Sequence, residues 1–197
     1  MNDEKAYYNL ECIGGYMKEI SMHILDIAMN SVSSGAKLIE IIIEESKNNN
    51  LIKIVLKDNG HGMSYDTIKK VADPFYTTRA TRKVGLGIPL LKEACERCNG
   101  YFKINSEVGK GTTVECTFER DNIDRAPIGN MGDTIITIIN SLDNCELLYK
   151  YITDEKSFVL STLELRNILE ETDIKSNDIL LWIKEYVSEN MKTMSDY

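Results

Sequence analysis

Long apolar runs are missing from this sequence. No stretch approaches the ~18 residues a helix needs to cross a bilayer, and the acidic N-terminus lacks a signal-peptide pattern. The chain is therefore expected to be cytoplasmic, with no membrane partner. Excess positive charge is missing too: 23 Lys and Arg stand against 31 Asp and Glu, a net charge of -8. Nucleic-acid binding thus has no electrostatic support. The five cysteines, Cys12, Cys95, Cys98, Cys116 and Cys145, are odd in number and scattered, which reads as reduced thiols rather than a disulfide framework. Cys95 and Cys98 make a single C-x-x-C with no second pair. That falls short of the roughly four ligands a zinc site needs, and helix packing accounts for the pair. No Walker A loop exists, because Gly109-Lys110-Gly111-Thr112 lacks the Gly-Lys-Ser/Thr order. No G-x-G-x-x-G opens a strand-to-helix turn, and no internal repeat or low-complexity tract is evident.

What is present suffices for one ordinary domain and a small addition: 197 residues, 43% hydrophobic and 27% charged. The most informative stretch is Ile20 to Ala36, ISMHILDIAMNSVSSGA. At about 100° per residue, Ile20, Ile24, Ile27 and Ala28 share one side of a helix, and Met22, Leu25, Met29 and Val32 share another. Between them runs a narrow stripe of His23, Asp26, Asn30 and Ser33. A helix apolar around most of its girth is buried, and a polar stripe on it needs partners, either within the protein or in a ligand.

Residues 1–16 show no period and read as a leader or arm, with a domain of 17–120 behind it. Lys37–Glu45 and Leu51–Lys57 are β-branched or alternating and predict a hairpin around the Lys47–Asn50 turn. Tyr65–Ala72 reads as a short helix and Asp73–Val84 as a loop. Gly85–Asn99 reads as a helix with Pro89 near its start, and Tyr101–Glu107 with Thr112–Glu119 as two more strands. At Asp121–Asn130 the character changes, with Pro127 and Gly129 marking a linker. Beyond it, 121–197 is expected to form an α+β appendage: a helix over Asp133–Leu142, a hairpin of Leu147–Ile152 with Lys156–Leu160, a helix from Thr162 capped by Ser161 and Glu164, and an amphipathic last helix with Ile179, Ile183 and Val187. Helices and hairpins in this order predict an α+β fold, a two-layer sandwich with a mixed sheet and helices on one face.

Three Gly-x-Gly elements punctuate the first 120 residues: Gly60-His61-Gly62, Gly85-Leu86-Gly87 and Gly109-Lys110-Gly111. Any one alone is a turn. Their order is specific, however. A helix with Asp26 and Asn30 is followed by DNGHGM, then PFYTTR, then GLGIPL, then GKGTTV. In this the chain resembles the Bergerat-type ATP-binding domain shared by histidine kinases, type II topoisomerases, heat-shock chaperones, mismatch-repair ATPases and anti-sigma-factor kinases. The resemblance covers Met17 to Phe118, and PFYTTR and GLGIPL match the histidine-kinase branch best.

The resemblance assigns roles that the residue chemistry can carry. Asp58 would bind the adenine amino group, with Gly60 and Gly62 letting a flat base approach the backbone and Thr112 completing the pocket through water. Asn30 matches the family's magnesium ligand, an amide oxygen suited to a hard cation that otherwise keeps phosphate and water. Gly85, Leu86 and Gly87 open a helix whose N–H groups and dipole can meet phosphate. Thr78 stands in the loop before it with Arg79, Arg82 and Lys83, and these three cations form a basic island able to clamp a triphosphate. The loop 73–84 would be the lid. Asp26 stands one helical turn before Asn30, where hydrolysing members and anti-sigma-like kinases usually carry Glu as general base. Aspartate keeps the carboxylate but is one methylene shorter, so its reach toward a nucleophile is reduced. The expected cofactors are ATP and Mg2+. The expected activity is phosphoryl transfer to an unidentified partner protein, with an ATP-hydrolysing switch or a non-catalytic ATP-dependent adaptor as alternatives and a homodimer left open. A typical histidine kinase has an upstream two-helix domain bearing a phosphoacceptor histidine. Here His23 and His61 both fall inside the nucleotide motifs.

Overall fold

The computed structural model describes residues 18–71, 87–170 and 172–195. Its elements run α1 (Ile20–Ser33), β1 (Leu38–Ser46), β2 (Leu51–Asp58), α2 (Tyr65–Val71), α3 (Gly87–Arg97), β3 (Phe102–Glu107), β4 (Gly111–Glu119), α4 (Met131–Ser141), β5 (Glu146–Thr153), β6 (Ser157–Ser161), α5 (Thr162–Leu169) and α6 (Asn177–Ser195). The strands form one mixed sheet in the order β3-β4-β2-β1-β5-β6. β1 and β2 pair antiparallel as the hairpin predicted from their alternation, with Ile41 opposite Leu56 and Ile43 opposite Ile54. β4 pairs antiparallel with both β2 and β3.

Alternation decides which face is covered. Ile39, Ile41 and Ile43 of β1, Ile52, Ile54 and Leu56 of β2, Val114, Cys116 and Phe118 of β4, and Leu147, Tyr149 and Tyr151 of β5 are all buried on the helical side. Onto them pack Ile20, Ile24, Ile27 and Ala28 of α1, Leu91 and Cys95 of α3, Ile135, Ile138 and Ile139 of α4, and Ile183 and Val187 of α6. The opposite face carries charged pairs such as Lys57 with Glu40, 2.8 Å apart. The fold is the α+β sandwich that the motif order predicts, with helices over one face of a mixed sheet.

The segment after residue 120, expected as an α+β appendage, carries α4, β5, β6, α5 and α6, and its hairpin extends the same sheet. β5 lies parallel to β1, with Ile41 opposite Tyr149 and Ile43 opposite Tyr151, and β6 closes the edge antiparallel to β5. The reason is physical. β1 would otherwise be a sheet edge with unpaired backbone groups and a row of isoleucines beside it. Further ties cross the junction. Glu45 of β1 accepts from Arg120 Nε at 2.8 Å and from the Tyr151 hydroxyl at 2.6 Å. The segment 121–130 also supplies what the start of α1 lacks. An α-helix begins with N–H groups that have no partner in the helix, and here Pro127 O accepts from Ile20 N at 3.0 Å and Ile128 O from Ser21 N at 2.8 Å.

Local signals account for the other ends. Asn130 caps α4 by accepting from Asp133 N, and Ser161 caps α5 by accepting from Glu164 N, as its capping-box spacing predicts. Cys95, Cys98, Cys116 and Cys145 are free and buried, which agrees with reduced thiols used in packing. Among the described residues no helix is long and apolar enough to cross a membrane, and no cluster of His, Cys, Asp and Glu could hold a metal ion.

Candidate nucleotide site

The site gathers at one end of the sheet, where α1, the turn after β2, the start of β4 and the first turn of α3 converge. Asp58 ends β2 and is 8% exposed. A carboxylate buried so far must be hydrogen-bonded, and three donors meet it. The Ser31 hydroxyl donates to Oδ2 at 2.7 Å, and Oδ1 accepts from Gly60 N at 2.9 Å and Thr112 N at 3.2 Å. These bonds fix the rotamer. Among the described residues Oδ1 is committed to the backbone and Oδ2 accepts a single bond, so Oδ2 keeps a lone pair for a further donor such as an exocyclic amine.

The glycines let these elements touch. A Cβ on Gly60 would lie 1.9 Å from Ser34 Oγ, against the last turn of α1. Gly62 adopts φ +64, and a Cβ there would stand 2.0 Å from Glu107 O. The turns 60–62 and 109–111 are joined directly, with Gly109 N donating to His61 O at 2.8 Å. Ser106 sits between them. Its Oγ accepts from Met63 N at 2.8 Å, donates to Gly111 O at 2.9 Å and lies 2.9 Å from the Thr112 hydroxyl. Thr112 is thus in the same wall as Asp58, through its own N–H and through Ser106.

The stripe on α1 runs from the interior outward: His23 is buried, Asp26 and Asn30 are half-buried, and Ser33 is exposed. Asp26 Oδ2 accepts from Gly87 N, the first residue of α3, at 3.1 Å. Burial raises the Asp26 carboxyl above its ordinary range, against the opposing effect of that N–H. Burial also drives His23 down from 6.5 to about 4, with a smaller opposing influence from the Gly87 backbone, so His23 is neutral at pH 7. Two polar atoms of the stripe, His23 Nδ1 and Asn30 Nδ2, are buried with no partner among the described residues. A buried amide short of a partner is costly, and a ligand that reaches Asn30 removes that cost.

The structure therefore brings together Asp26, Asn30 and Gly87 on one side and Asp58, Gly60, Gly62 and Thr112 on the other, joined through Ser31. Thr78, Arg79, Arg82, Lys83, Gly85 and Leu86, with the lid 73–84, lie outside the described residues, as does the leader 1–16. Sequence reasoning missed Ser31 and Ser106. Ser31 had a signal: it is a hydroxyl on the otherwise apolar side of α1, directly after Asn30. Ser106 had none, because its role depends on which strands pair.

The model of the histidine kinase-, DNA gyrase B- and HSP90-like ATPases matches residues 16–122, and the chain belongs to that family of ATP-binding domains. Sporulation kinase E of Bacillus subtilis (strain 168) is 32% identical over 106 residues, covering 54% of this chain and 14% of that protein. The sensor protein kinase WalK of Staphylococcus haemolyticus (strain JCSC1435) is 32% identical over 113 residues, covering 55% of this chain and 18% of that protein. The chain thus spans less than a fifth of the length of either relative. A solved structure of the Aquifex aeolicus MutL ATPase domain complexed with ADP aligns with a TM-score of 0.42 at 15% identity, over 74% of this chain and 63% of that one.

Proposed function

We propose that this protein binds ATP with magnesium in the cleft between α1 and the Asp58 wall and transfers the terminal phosphoryl group to a partner protein. Asp58 would take the adenine amine, with Gly60, Gly62 and Thr112 around the base. Gly85, Leu86 and Gly87 would meet phosphate, and Thr78, Arg79 and Lys83 would close over it. Asn30 is half-buried on the α1 stripe and its amide oxygen is of the hard kind that Mg2+ takes, so the chemistry of this side chain fits the ion, while its unpartnered Nδ2 is left to donate to a phosphate oxygen. When bound, magnesium neutralises charge on the phosphates. Asp26 would receive the proton of the attacking hydroxyl. The observation that carries this reading is Asp26 itself: a half-buried carboxylate one turn from Asn30, already at the first residue of α3. The sensor and sporulation kinases that the chain resembles favour a regulatory role over metabolism.

The test uses γ-labelled ATP with candidate partners. Label on a partner protein, lost in Asp26→Asn, supports transfer. Label released as free phosphate, with none on protein, supports a hydrolysing switch instead. One observation favours that second reading. The first N–H groups of α1 are held by Pro127 and Ile128, so a shift of α1 on nucleotide binding would be felt in α4 and beyond. Tight binding with neither product would leave an ATP-dependent adaptor.

A further inference from the structure

The first turn of α3 offers few donors. Pro89 has no N–H, and Gly87 N–H already donates to Asp26 Oδ2. The carboxylate acts as an N-cap, but it comes from another helix. Negative charge at a helix N-terminus is favoured by the dipole and the free N–H groups, the same physics that holds phosphate there. A single N–H cannot serve a carboxylate and a phosphate fully at once.

We propose that Asp26 is an internal competitor for the phosphate seat. Without nucleotide its carboxylate holds the Gly87 N–H, and a nucleotide phosphate takes that N–H over and frees the carboxylate. This rests on the ATP site proposed above and gives Asp26 two states, capped and released. A base tied to α3 is sheltered until a phosphate arrives. Glycine at 87 is what permits the contact, since a Cβ there would lie 2.1 Å from Asp26 Oδ2. Asn30 Nδ2, buried without a partner among the described residues one turn after Asp26, is a second donor for the incoming phosphate.

Calorimetric titration of the full chain with the non-hydrolysable analogue AMP-PNP plus magnesium, and separately with adenosine, tests this in the parent, Asp26→Asn and Asp26→Ala. Asparagine keeps an oxygen that still accepts from Gly87, whereas alanine leaves the seat empty. The expected result is AMP-PNP binding tightened about three- to tenfold in Asp26→Ala, less in Asp26→Asn, with adenosine binding unchanged in all three. Equal tightening in both variants would mean simple charge repulsion and overturn the competitor role, as would no tightening in Asp26→Ala. A parent that binds neither ligand would instead overturn the ATP site itself.

Discussion

At the residue scale, Asp58 and Asp26 show how position divides the work of two carboxylates. Asp58 is locked by three donors, the rigidity that the recognition role proposed for it needs. Asp26 has one donor among the described residues, at the mouth of α3, and is far less constrained. Removing Ser31 tests the first half. Ser31→Ala deletes the 2.7 Å bond to Asp58 Oδ2, and a bond to a charged group contributes about 1.5–3 kcal/mol. Adenine-nucleotide affinity is expected to fall roughly tenfold by calorimetry, with the fold retained by circular dichroism. Unchanged affinity would show that Asp58 needs no help from α1. His23 makes a separate prediction about pH. Its folded value of about 4 lies below the ordinary 6.5, so below pH 6.5 the unfolded chain takes up a proton that the folded chain refuses. Stability is therefore full above pH 6.5 and falls as pH drops toward 4, by about 3 kcal/mol in all. Asp26, raised in the fold, works the other way, stabilising the fold at low pH and less as pH rises through the carboxylate range. His23→Phe should flatten the slope between pH 6.5 and 4 in urea melts followed across pH. A slope as steep as the parent's would assign it to other groups.

At the scale of elements, periodicity and punctuation carried most of the information. The apolar side of α1, the alternation of β1 and β2, and the Ser161–Glu164 box are local patterns, and each element stands where its pattern indicates. Asp26, Asn30, Asp58 and Thr112 could be singled out because the order of the motifs resembles a known ATP-binding domain, and the fold brings them to one end of the sheet. The pairings were not legible. β5 beside β1 is a parallel contact across about a hundred residues of chain, and nothing in either strand's alternation names its neighbour. For the same reason the capping of α1 by Pro127 and Ile128, and the place of Ser106 between two turns, could not be read ahead. One cap that the structure reveals is directly testable. Asn130 accepts from Asp133 N at 3.0 Å and its main-chain N–H donates to Glu19 Oε2 at 3.3 Å. Asn130→Ala removes the side-chain cap together with the amide's hydrogen bond to the Asp133 carboxylate, and should lower stability by about 1 kcal/mol in urea denaturation. A loss below a few tenths would mean the backbone contacts around Glu19 suffice.

At the scale of the whole molecule, one sheet joins the ATP-binding part to the last seventy residues, and one core runs beneath α1, α4 and α6. The protein is therefore expected to unfold in a single transition. Trp182, the one tryptophan, lies in α6, half exposed and stacked on Tyr186 with ring centroids 5.2 Å apart. Its fluorescence reports the C-terminal part, while circular dichroism reports the whole. Coincident urea midpoints are expected, whereas two separated midpoints would indicate that 121–197 folds independently. The central claim is that Asp58 and the α1 stripe form one adenine-nucleotide site, and calorimetry with ATP and magnesium on the parent and on Asp58→Ala tests it most directly. Saturable binding to one site in the parent, weakened at least tenfold in Asp58→Ala, is the predicted result. A folded parent that takes up no nucleotide at millimolar concentration, or an Asp58→Ala variant that binds as well as the parent, would contradict it.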